Sequence, residues 1–249
     1  MKPYLSIIIP CYNEEVNIHL GALDKVVRFV ESQKYTSEII IIDDGSNDGS
    51  LELVKRFAEH NKNTTIIENN HGGKAAAVTT GMLAAKGQFR VFLDMDQAVP
   101  IEEISKLLPY FSQKYDVVIG SRNSVRQGAP LLRKVMALGF MKLRGMILGM
   151  DDIVDTQCGF KGFSEKAALY LFQKLQVYTQ NENVRGSRVT AGFDVELLYL
   201  AKKHGYRIKE VSVHWHHVDT RRVNPIRDSI EGLFALLKIK SNDTQGKYS

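Results

Sequence analysis

The sequence has few cysteines and no long apolar stretch. Its two cysteines, Cys11 and Cys158, are too few for a disulfide framework and are not spaced as metal-ligand pairs. The run without acidic or basic residues at 75–85 is as long as any in the chain, and it is too short for a membrane-spanning helix. The N-terminus also lacks the basic and apolar regions of a signal peptide. These absences argue against a secreted or integral membrane protein and predict a soluble cytoplasmic one.

The composition is that of a basic globular chain. Of its 249 residues, 44% are hydrophobic and 24% are charged, which fits one domain with a single core. The formal net charge of +5 indicates an anionic partner. A phosphorylated substrate, a membrane surface and nucleic acid all meet that description, so charge alone does not choose among them.

Short β-branched runs alternate with helical patterns along the first half of the chain. The predicted strands lie at 5–9, 38–43, 64–68, 90–94 and 116–120, and the predicted helices lie at 13–32, 50–59, 74–85 and 101–111. Continuous apolar strands separated by helices are typical of a parallel sheet covered on both faces, so the sequence predicts an α/β fold. Further along we expect a basic helix at about 130–150, a late strand at 207–215 and a frayed polar tail at 241–249.

Acidic residues follow the ends of the predicted strands, where an open parallel sheet binds its ligands. The strand at 38–43 ends on Asp43 and Asp44. These two carboxylates precede the next helix by too many residues to cap it, so we expect them to accept hydrogen bonds from the base and ribose of a ligand. Asn47 and Asp48 lie closer to the helix, and capping alone suffices to explain them.

A second acidic pair, Asp94 and Asp96, follows the predicted strand at 90–94. Their side chains leave the same side of an extended chain and are able to converge on one hard cation. Mg²⁺ or Mn²⁺ binds one or two carboxylates and completes its shell with phosphate oxygens and water, which suits a nucleoside diphosphate. Acidic turns are common, so it is the strand context and the neighbouring acidic residues that favour a metal site.

The segment HGGKAAAV at 71–78 supplies a complement to these carboxylates. Its two glycines allow the backbone to approach a phosphate, the start of the helix offers free N–H groups, and Lys74 adds a positive charge. A plain helix start explains the same residues equally well, and the segment does not match the Walker motif.

Seven motifs occur in the order seen in family 2 glycosyltransferases with the GT-A fold: LSIIIPCYNEE, IIDDGSNDGS, NHGGKAAAV, FLDMD, VIGSRN, DTQCGFKGF and FDVELLYLAKKHGYRIKEVSVHW. The chain resembles this family over nearly its whole length, and most of all the branch of dolichyl-phosphate β-glucosyltransferases and polyprenyl-phosphate glycosyltransferases. The resemblance implies one domain at 1–240 with a Rossmann-like, mostly parallel sheet, a nucleotide-sugar half at about 1–120 and an acceptor half at 121–240. Ala98 stands where mannosyl relatives have a glutamine, which favours the glucosyl branch.

The resemblance also implies roles for individual residues. Those expected around the nucleotide sugar are Pro10, Asn13, Glu15, Asp43, Asp44, Ser46, Lys74, Asp94 and Met95, and Asp94 and Asp96 would hold the metal. Those expected around the acceptor are Ser121, Arg122, Arg133, Gln157, Lys161 and Arg222, with Asp155 and Gly159 on the same side. The expected catalytic set is Asp96, Arg122, Arg133 and Asp155.

A phosphate acceptor explains the arginines of the second half. A transferase that acts on a hydroxyl needs a base, whereas a phosphate monoester is already anionic and attacks unaided. The acceptor site then needs cations, and arginine suits phosphate oxygens. Arg133 and Arg144 are eleven residues apart, about three helical turns, so both would face the same way on one helix. Such a basic helix would rest on an anionic bilayer, or it is a core helix with a solvated face.

We therefore expect an inverting, metal-dependent transfer of a hexose from a nucleotide sugar to a polyprenyl or dolichyl phosphate, with glucose from UDP-glucose favoured. A single displacement at the anomeric carbon needs no covalent nucleophile and inverts the configuration. The alternatives are a GDP-mannose donor, an acceptor hydroxyl on a cell-envelope glycan, and a nucleotide- or nucleic-acid-binding module. On the favoured interpretation the protein serves protein glycosylation or the cell envelope, works peripherally at the cytoplasmic membrane face and binds no nucleic acid.

Overall fold

The computed structural model describes residues 2–122, 131–177, 192–216 and 225–249. For 131–138 and 225–229 the description covers the backbone and not the side chains. Two of the expected acceptor residues are affected: Arg222 lies outside the described residues, and so does the side chain of Arg133. Within the described ranges, every helix falls short of the length and apolar character that crossing a bilayer requires.

A seven-stranded sheet forms the centre of the molecule. Its strands are β1 (Leu5–Cys11), β2 (Ser37–Asp43), β3 (Thr64–Glu68), β4 (Phe89–Phe92), β5 (Val117–Ser121), β6 (Lys161–Ser164) and β7 (Ile208–Ser212). They lie in the order β3-β2-β1-β4-β6-β5-β7, and all neighbours are parallel except the two pairs that include β6. The predicted α/β fold with a mostly parallel sheet is thus confirmed, while the antiparallel β6 was not predicted.

Helices cover both faces of the sheet. They are α1 (Glu15–His19), α2 (Ala22–Ser32), α3 (Ser50–His60), α4 (Lys74–Ala84), α5 (Ile104–Ser112), α6 (Leu131–Leu148), α7 (Glu165–Lys174), α8 (Phe193–Lys203) and α9 (Pro225–Thr244), with a short 3₁₀ turn at Ile101–Glu103. The single helix expected at 13–32 is divided in two. Gly21 has a φ of +80° between α1 and α2, a left-handed conformation that ends one helix and that glycine adopts without strain.

The alternation of side chains along the strands builds one apolar core on each face. Ile7 and Ile9 pack with α2 and α5, whereas Ile8 packs on the other face with α4, α7 and α8. Helix α4 lies very close to the sheet, because a Cβ added to Gly81 would stand 2.5 Å from side-chain atoms of both Ile8 and Ile42. The two cores fix the sheet, and with it the positions of the loops that leave its edge.

The loops expected to carry the site all leave one edge of the sheet. Since β2, β1 and β4 are adjacent and parallel, their carboxyl ends at Asp43, Cys11 and Phe92 lie side by side. The antiparallel β6 starts at this same edge, where Lys161 pairs with Phe92 of β4. The direction of β6 therefore brings the loop before it, at 155–160, beside the loops of the expected nucleotide-sugar half.

The end of the chain differs from the frayed polar tail that the sequence predicted. Helix α9 continues to Thr244, and Tyr248 beyond it is fully buried. The Tyr248 hydroxyl donates to Glu196 Oε1 at 2.5 Å, and His204 Nε2 lies 2.9 Å from the Tyr248 carbonyl oxygen. A single buried aromatic residue that bonds to Glu196 and His204 fixes a segment that its polar neighbours alone would leave solvated.

Candidate active site

Asp44 holds the glycine-rich loop in place. Its Oδ1 accepts from the Gly72 N–H at 3.0 Å and its Oδ2 from the Gly73 N–H at 2.7 Å. Oδ2 also lies 3.0 Å from Nδ1 of His71. Burial raises the pKa of Asp44 above its usual value, although these N–H groups and His71 favour the charged form. Both oxygens are occupied by protein donors, so the direct contact with a ligand's base or ribose that we expected from Asp44 has competitors within the chain.

The two carboxylate oxygens of Asp43 lie in different environments. Oδ2 accepts from the N–H groups of Gly45 at 3.2 Å and Ser46 at 3.1 Å, which closes the turn after β2. Oδ1 is buried and has no hydrogen-bond partner among the described residues. A buried carboxylate oxygen without a donor is costly. Of the two adjacent aspartates, Asp43 therefore has the oxygen that a ligand's N–H group would satisfy.

The loops after β1 and β2 are interlocked. The Asn13 N–H donates to Ser46 Oγ at 3.1 Å, and the Asn47 N–H donates to Asn13 Oδ1 at 2.9 Å. The Gly49 N–H donates to Glu15 Oε2 at 3.1 Å. Asn13 has a φ of +54°, a conformation that asparagine tolerates better than most residues. Three residues expected to bind the nucleotide sugar, Asn13, Glu15 and Ser46, are thus brought together.

Two aromatic rings stack beside these loops. The rings of Tyr12 and His71 lie 4.1 Å apart at an interplanar angle of 17°. His71 also contacts Asp44, so the stack joins the loop after β1 to the glycine-rich loop. Neither residue was assigned a role from the sequence, although the histidine directly before two glycines was the available signal.

Lys74, Asp94 and Gly159 meet where the two halves of the chain come together. Lys74 Nζ forms an ion pair with Asp94 Oδ1. A Cβ added to Gly159 would stand 2.4 Å from Asp94 Oδ2 and 2.8 Å from Lys74 Nζ. The loop at 155–160 therefore approaches the ion pair so closely that a side chain at position 159 would displace the end of Asp94 or Lys74. This contact joins the expected nucleotide-sugar half to the expected acceptor half.

The segment after β4 contains the two carboxylates expected to hold a metal. Asp96 Oδ1 accepts from the Ala98 N–H at 3.0 Å, and Met95 between the two carboxylates is buried. The described residues contain no cluster of three or more His, Cys, Asp or Glu side chains able to hold a metal ion by themselves. Two hard carboxylates at a partly exposed edge still fit Mg²⁺ or Mn²⁺, because these ions take their remaining oxygens from phosphate and water.

Arg122 and Asp155 form a close pair in the half of the chain that is expected to bind the acceptor. Arg122 Nε and Nη2 donate to the Asp155 carboxylate at 2.7 and 2.8 Å, and the Arg122 N–H adds a third bond at 3.0 Å. Asp155 is buried, which by itself would raise its pKa, but the hydrogen bonds and charge of Arg122 lower the pKa of Asp155 to about 2. The same pairing raises the pKa of Arg122 despite its burial. Asp155 is thus a permanent anion that orients Arg122.

Glu210 holds this pair in position from β7. Its carboxylate accepts from the N–H groups of Val154 at 2.9 Å and Asp155 at 2.8 Å. Glu210 was not predicted from the sequence, where a charged residue inside the late strand was the available signal. Ser121 at the end of β5 is buried, and its hydroxyl has no partner among the described residues. Gln157 is exposed, and its N–H donates to Asp155 Oδ1 at 3.3 Å.

Lys161 is fully buried, which is rare for a lysine. Its ammonium group pairs with Asp194 at 2.5 Å, donates to the Cys158 carbonyl oxygen and lies 5.6 Å from the centre of the Phe92 ring. These contacts compensate the burial of its charge. Lys161 is expected to bind the acceptor, and the structure places it at the junction of β4, β6 and α8.

The thiols of Cys11 and Cys158 are not ionised near neutral pH. Burial raises the pKa of Cys11 to about 12. Burial likewise raises the pKa of Cys158 to about 11. Both thiols stay protonated near neutral pH, which makes them small apolar side chains and not nucleophiles or metal ligands.

The sequence predicted that Arg144, like Arg133, lies on an exposed cationic side of its helix, and this expectation was wrong for Arg144. Both residues do belong to one helix, α6. Arg144 is buried, however, and it donates from Nη1 to Thr156 Oγ1 at 2.9 Å and from Nε to the Met150 carbonyl oxygen at 3.2 Å. Burial lowers the pKa of Arg144. Helical spacing alone could not show that a loop after α6 folds back over this arginine.

The chain is similar to a known family over most of its length. Residues 6–172 match the family described as glycosyl transferase family 2. A dolichyl-phosphate beta-glucosyltransferase of Dictyostelium discoideum is 31% identical over 255 residues, which cover 95% of this chain and 74% of the relative. The enzyme of the same name from Saccharomyces cerevisiae is 33% identical over 252 residues, covering 92% of this chain and 71% of that protein.

Solved structures share the fold at low sequence identity. A mannosyltransferase from Pyrobaculum calidifontis, in complex with GDP-Man and Mn²⁺, matches with a TM-score of 0.56 and 17% identity over 97% of this chain and 74% of that one. Mannosyl-3-phosphoglycerate synthase from Rubrobacter xylanophilus matches with a TM-score of 0.63 and 14% identity over 98% of this chain and 75% of that one. These similarities establish a GT-A fold.

Proposed function

The chain belongs to glycosyltransferase family 2, and on that basis we propose that it transfers glucose from a nucleotide sugar to dolichyl phosphate or another polyprenyl phosphate. Curated relatives that are 31% to 33% identical over at least 92% of this chain bear the name dolichyl-phosphate beta-glucosyltransferase. UDP-glucose is the proposed donor, and the anomeric configuration is inverted in a single displacement. The nucleotide-sugar half at about 1–120 and the acceptor half at 121–240 each supply one side of the site.

The contact of Gly159 with the Lys74–Asp94 ion pair carries this proposal. The two charged residues follow strands that end at the ligand-binding edge of the sheet, and the glycine belongs to the loop that leads to Asp155 and Arg122. A sugar that leaves one substrate and joins the other must sit where two such sites adjoin. The meeting of these three residues supports a transfer reaction better than it supports a site that only binds a nucleotide.

The nucleoside would bind at the loops after β1 and β2. The unpartnered Asp43 Oδ1 would accept a hydrogen bond from an N–H group of the base. Asn13, Glu15 and Ser46, with Pro10 beside them, would line the remainder of this pocket. We assign Asp44 a positioning role, because its two oxygens hold Gly72 and Gly73.

Asp94 and Asp96 would hold Mg²⁺ or Mn²⁺, and the ion would stabilise the charge of the departing nucleoside diphosphate. Lys74 would then share Asp94 with the ion and add a positive charge near the diphosphate. A buried Met95 keeps the carboxylates on either side of it on a fixed backbone. This arrangement concentrates positive charge where the leaving group develops its negative charge.

Among the described residues of the acceptor half, two carboxylates are paired with cations. Asp155 is bound to Arg122, with a pKa of about 2, and Asp194 is bound to Lys161. Carboxylates held in this way are poor proton acceptors at neutral pH. A phosphate acceptor needs no proton removed, so this chemistry favours a lipid phosphate over a sugar hydroxyl. Arg122 and Ser121 would contact that phosphate, and Arg133 and Arg222 remain proposed partners outside the described side chains.

The test of this proposal is a transfer assay on the purified protein. The protein is incubated with radiolabelled UDP-glucose, GDP-mannose or UDP-N-acetylglucosamine, with Mg²⁺ or Mn²⁺, and with dolichyl phosphate in detergent. Dolichol without the phosphate serves as the matched control acceptor. We expect labelled lipid from UDP-glucose and dolichyl phosphate only, and no label on dolichol.

Other outcomes of the same assay would contradict parts of the proposal. If dolichyl phosphate is labelled from GDP-mannose and not from UDP-glucose, the proposed donor is wrong and the proposed acceptor is supported. Equal labelling of dolichol and dolichyl phosphate would contradict the phosphate acceptor. Hydrolysis to free sugar in every mixture, without labelled lipid, would contradict lipid transfer as a whole.

A further inference from the structure

Gln97, which directly follows the two carboxylates expected to hold a metal, has an unusual backbone conformation. Its φ is +46°, in the left-handed region. Among the described residues, three that are not glycine have a positive φ: Asn13, Gln97 and Lys114. Asparagine tolerates this conformation because its short side chain bonds to the nearby backbone, whereas the longer glutamine lacks that advantage and is strained there. A strained residue persists only where its surroundings hold it.

The backbone of Gln97 shapes the turn that carries both carboxylates. Its N–H donates to the Asp94 carbonyl oxygen at 3.1 Å and closes the turn at 94–97. Directly after it, the Ala98 N–H donates to Asp96 Oδ1 at 3.0 Å. The Ala98 carbonyl oxygen accepts in turn from the His216 N–H at 2.8 Å. The relative placement of the two carboxylates therefore depends on the conformation at Gln97.

The side chain of Gln97 fastens this turn to α2. Gln97 is buried, and its Nε2 donates to the carbonyl oxygen of Ala22, the first residue of α2, at 2.6 Å. Helix α2 itself packs on the sheet through Leu23, Val26 and Phe29. One buried hydrogen bond thus joins the turn at 94–97 to a helix that the core holds in place.

Stability alone does not account for a glutamine at this position. Its Oε1 is buried and has no hydrogen-bond partner among the described residues. A buried acceptor without a donor is costly, and the left-handed backbone adds strain. An apolar side chain of similar length would avoid the first cost, and a glycine would avoid the second. Departures of this kind from locally favourable residues are concentrated at functional sites.

We propose that Gln97 is a positioning residue for the metal site. Its bond to Ala22 holds the turn at 94–97 in the conformation that places Asp94 and Asp96 for one divalent cation. This inference rests on the proposed function, in which those two carboxylates hold Mg²⁺ or Mn²⁺. Gln97 acts through the backbone of the turn and not as a ligand of the ion.

The test measures how much Mn²⁺ tightens the binding of UDP. UDP is titrated calorimetrically into the full chain with excess Mn²⁺, and again with EDTA. Gln97→Met keeps the length of the side chain and removes the donor, whereas Gln97→Gly removes the donor and the backbone strain together. The matched control is Gln113→Met, at an exposed glutamine after α5. Thermal unfolding and transfer from UDP-glucose to dolichyl phosphate are measured in parallel.

In the unchanged chain and in Gln113→Met, we expect Mn²⁺ to tighten UDP binding at least about tenfold. In Gln97→Met this gain should fall to about threefold or less, while UDP binding in EDTA stays the same. The unfolding temperature of Gln97→Met should change little, because the lost hydrogen bond is offset by removal of the unpaired oxygen. Gln97→Gly should keep more of the gain, since glycine adopts the left-handed conformation without strain.

A full Mn²⁺ gain in both Gln97 variants would overturn the inference, whatever their stability. If Gln97→Met does not fold, a full gain in Gln97→Gly alone would overturn it. A loss of UDP binding that is equal with Mn²⁺ and with EDTA would do the same, because Gln97 would then support the nucleoside loops. Absence of any gain in the unchanged chain would contradict the metal site and this inference with it. The expected pattern without transfer to dolichyl phosphate would instead contradict the proposed function alone.

Discussion

The two halves of the site use their carboxylates differently. In the first half, Asp43 and Asp44 accept hydrogen bonds from backbone N–H groups and so shape loops. In the second half, Asp155 and Asp194 are paired with the side chains of Arg122 and Lys161. Carboxylates held by N–H groups fix the shape of the loops around the proposed nucleoside site, whereas carboxylates held by a cation fix that cation for an anion. The proposed metal ligand Asp94 is an exception in the first half, because it pairs with Lys74. The difference fits a nucleoside held by shaped loops on one side and a phosphate met by cations on the other.

The largest effect should follow from removing a carboxylate of the proposed metal site. We expect Asp96→Ala to lower the transfer rate about 1,000-fold, because the leaving diphosphate loses its cation. The measurement is the initial rate with UDP-glucose and dolichyl phosphate at saturating Mn²⁺. The matched control is Glu52→Ala, which removes an exposed carboxylate on α3. A loss below tenfold would show that the site works without this residue.

Unfolding experiments on the two kinds of carboxylate would sharpen the comparison. Asp155→Asn leaves the Arg122 guanidinium without its buried partner and should lower the free energy of unfolding by about 3 to 5 kcal/mol. Asp44→Asn disrupts hydrogen bonds to neutral N–H groups and should cost only about 1 to 3 kcal/mol. Urea denaturation of both variants beside the unchanged protein measures the difference. Equal losses would mean that the two carboxylates do not differ in the way described.

A smaller effect is expected where the two halves touch. In Gly159→Ala the new methyl group would overlap Asp94 and Lys74, so the ion pair must shift. We expect the transfer rate to fall about 10- to 100-fold with a modest change in stability. Gly139→Ala is the matched control, because a Cβ at Gly139 meets nothing within 4 Å. An unchanged transfer rate in Gly159→Ala would mean that the reaction does not depend on the contact between the two halves.

The smallest effect concerns pH. The pKa of Asp155 falls from 3.8 to about 2 in the folded protein, so its stabilising contribution is complete well above pH 4 and is lost as the pH falls toward 2. Between pH 7 and pH 3 the stability difference between the unchanged protein and Asp155→Asn should shrink by about 1 kcal/mol. Thermal unfolding at both pH values measures this. A difference that grows at low pH would contradict the ion pair.

The first half of the fold was predictable because its signals are local. The isoleucine run of β2 marks a strand buried on both faces, and the acidic residues directly after it mark the ligand-binding edge. Strand β6 carries no such signal, since its four residues KGFS include a glycine and a lysine. The burial of Lys161 depends on Asp194, which lies on α8 more than thirty residues away. Contacts of that kind come from the assembled fold and leave no periodic pattern.

In the candidate site, too, local signals in the sequence were informative and contacts between distant segments were not predictable. Asp94, Asp96 and Lys74 were identified from their place after a strand and before a helix, and the structure does bring Lys74 and Asp94 into contact. The roles of Asp44 and Arg144 were not predictable, because each depends on a loop that folds back from elsewhere in the chain. Sequence thus indicated which residues gather at the edge, and not which of them hold the others in place.

The division of the site is tested most directly by calorimetric titration of UDP in the presence of Mn²⁺. Three proteins are compared: the unchanged chain, Asp96→Ala and Arg122→Lys. We expect Asp96→Ala to weaken UDP binding at least about tenfold, and Arg122→Lys to bind UDP as the unchanged chain does while its KM for dolichyl phosphate rises. UDP binding that survives in Asp96→Ala and is lost in Arg122→Lys would contradict the account.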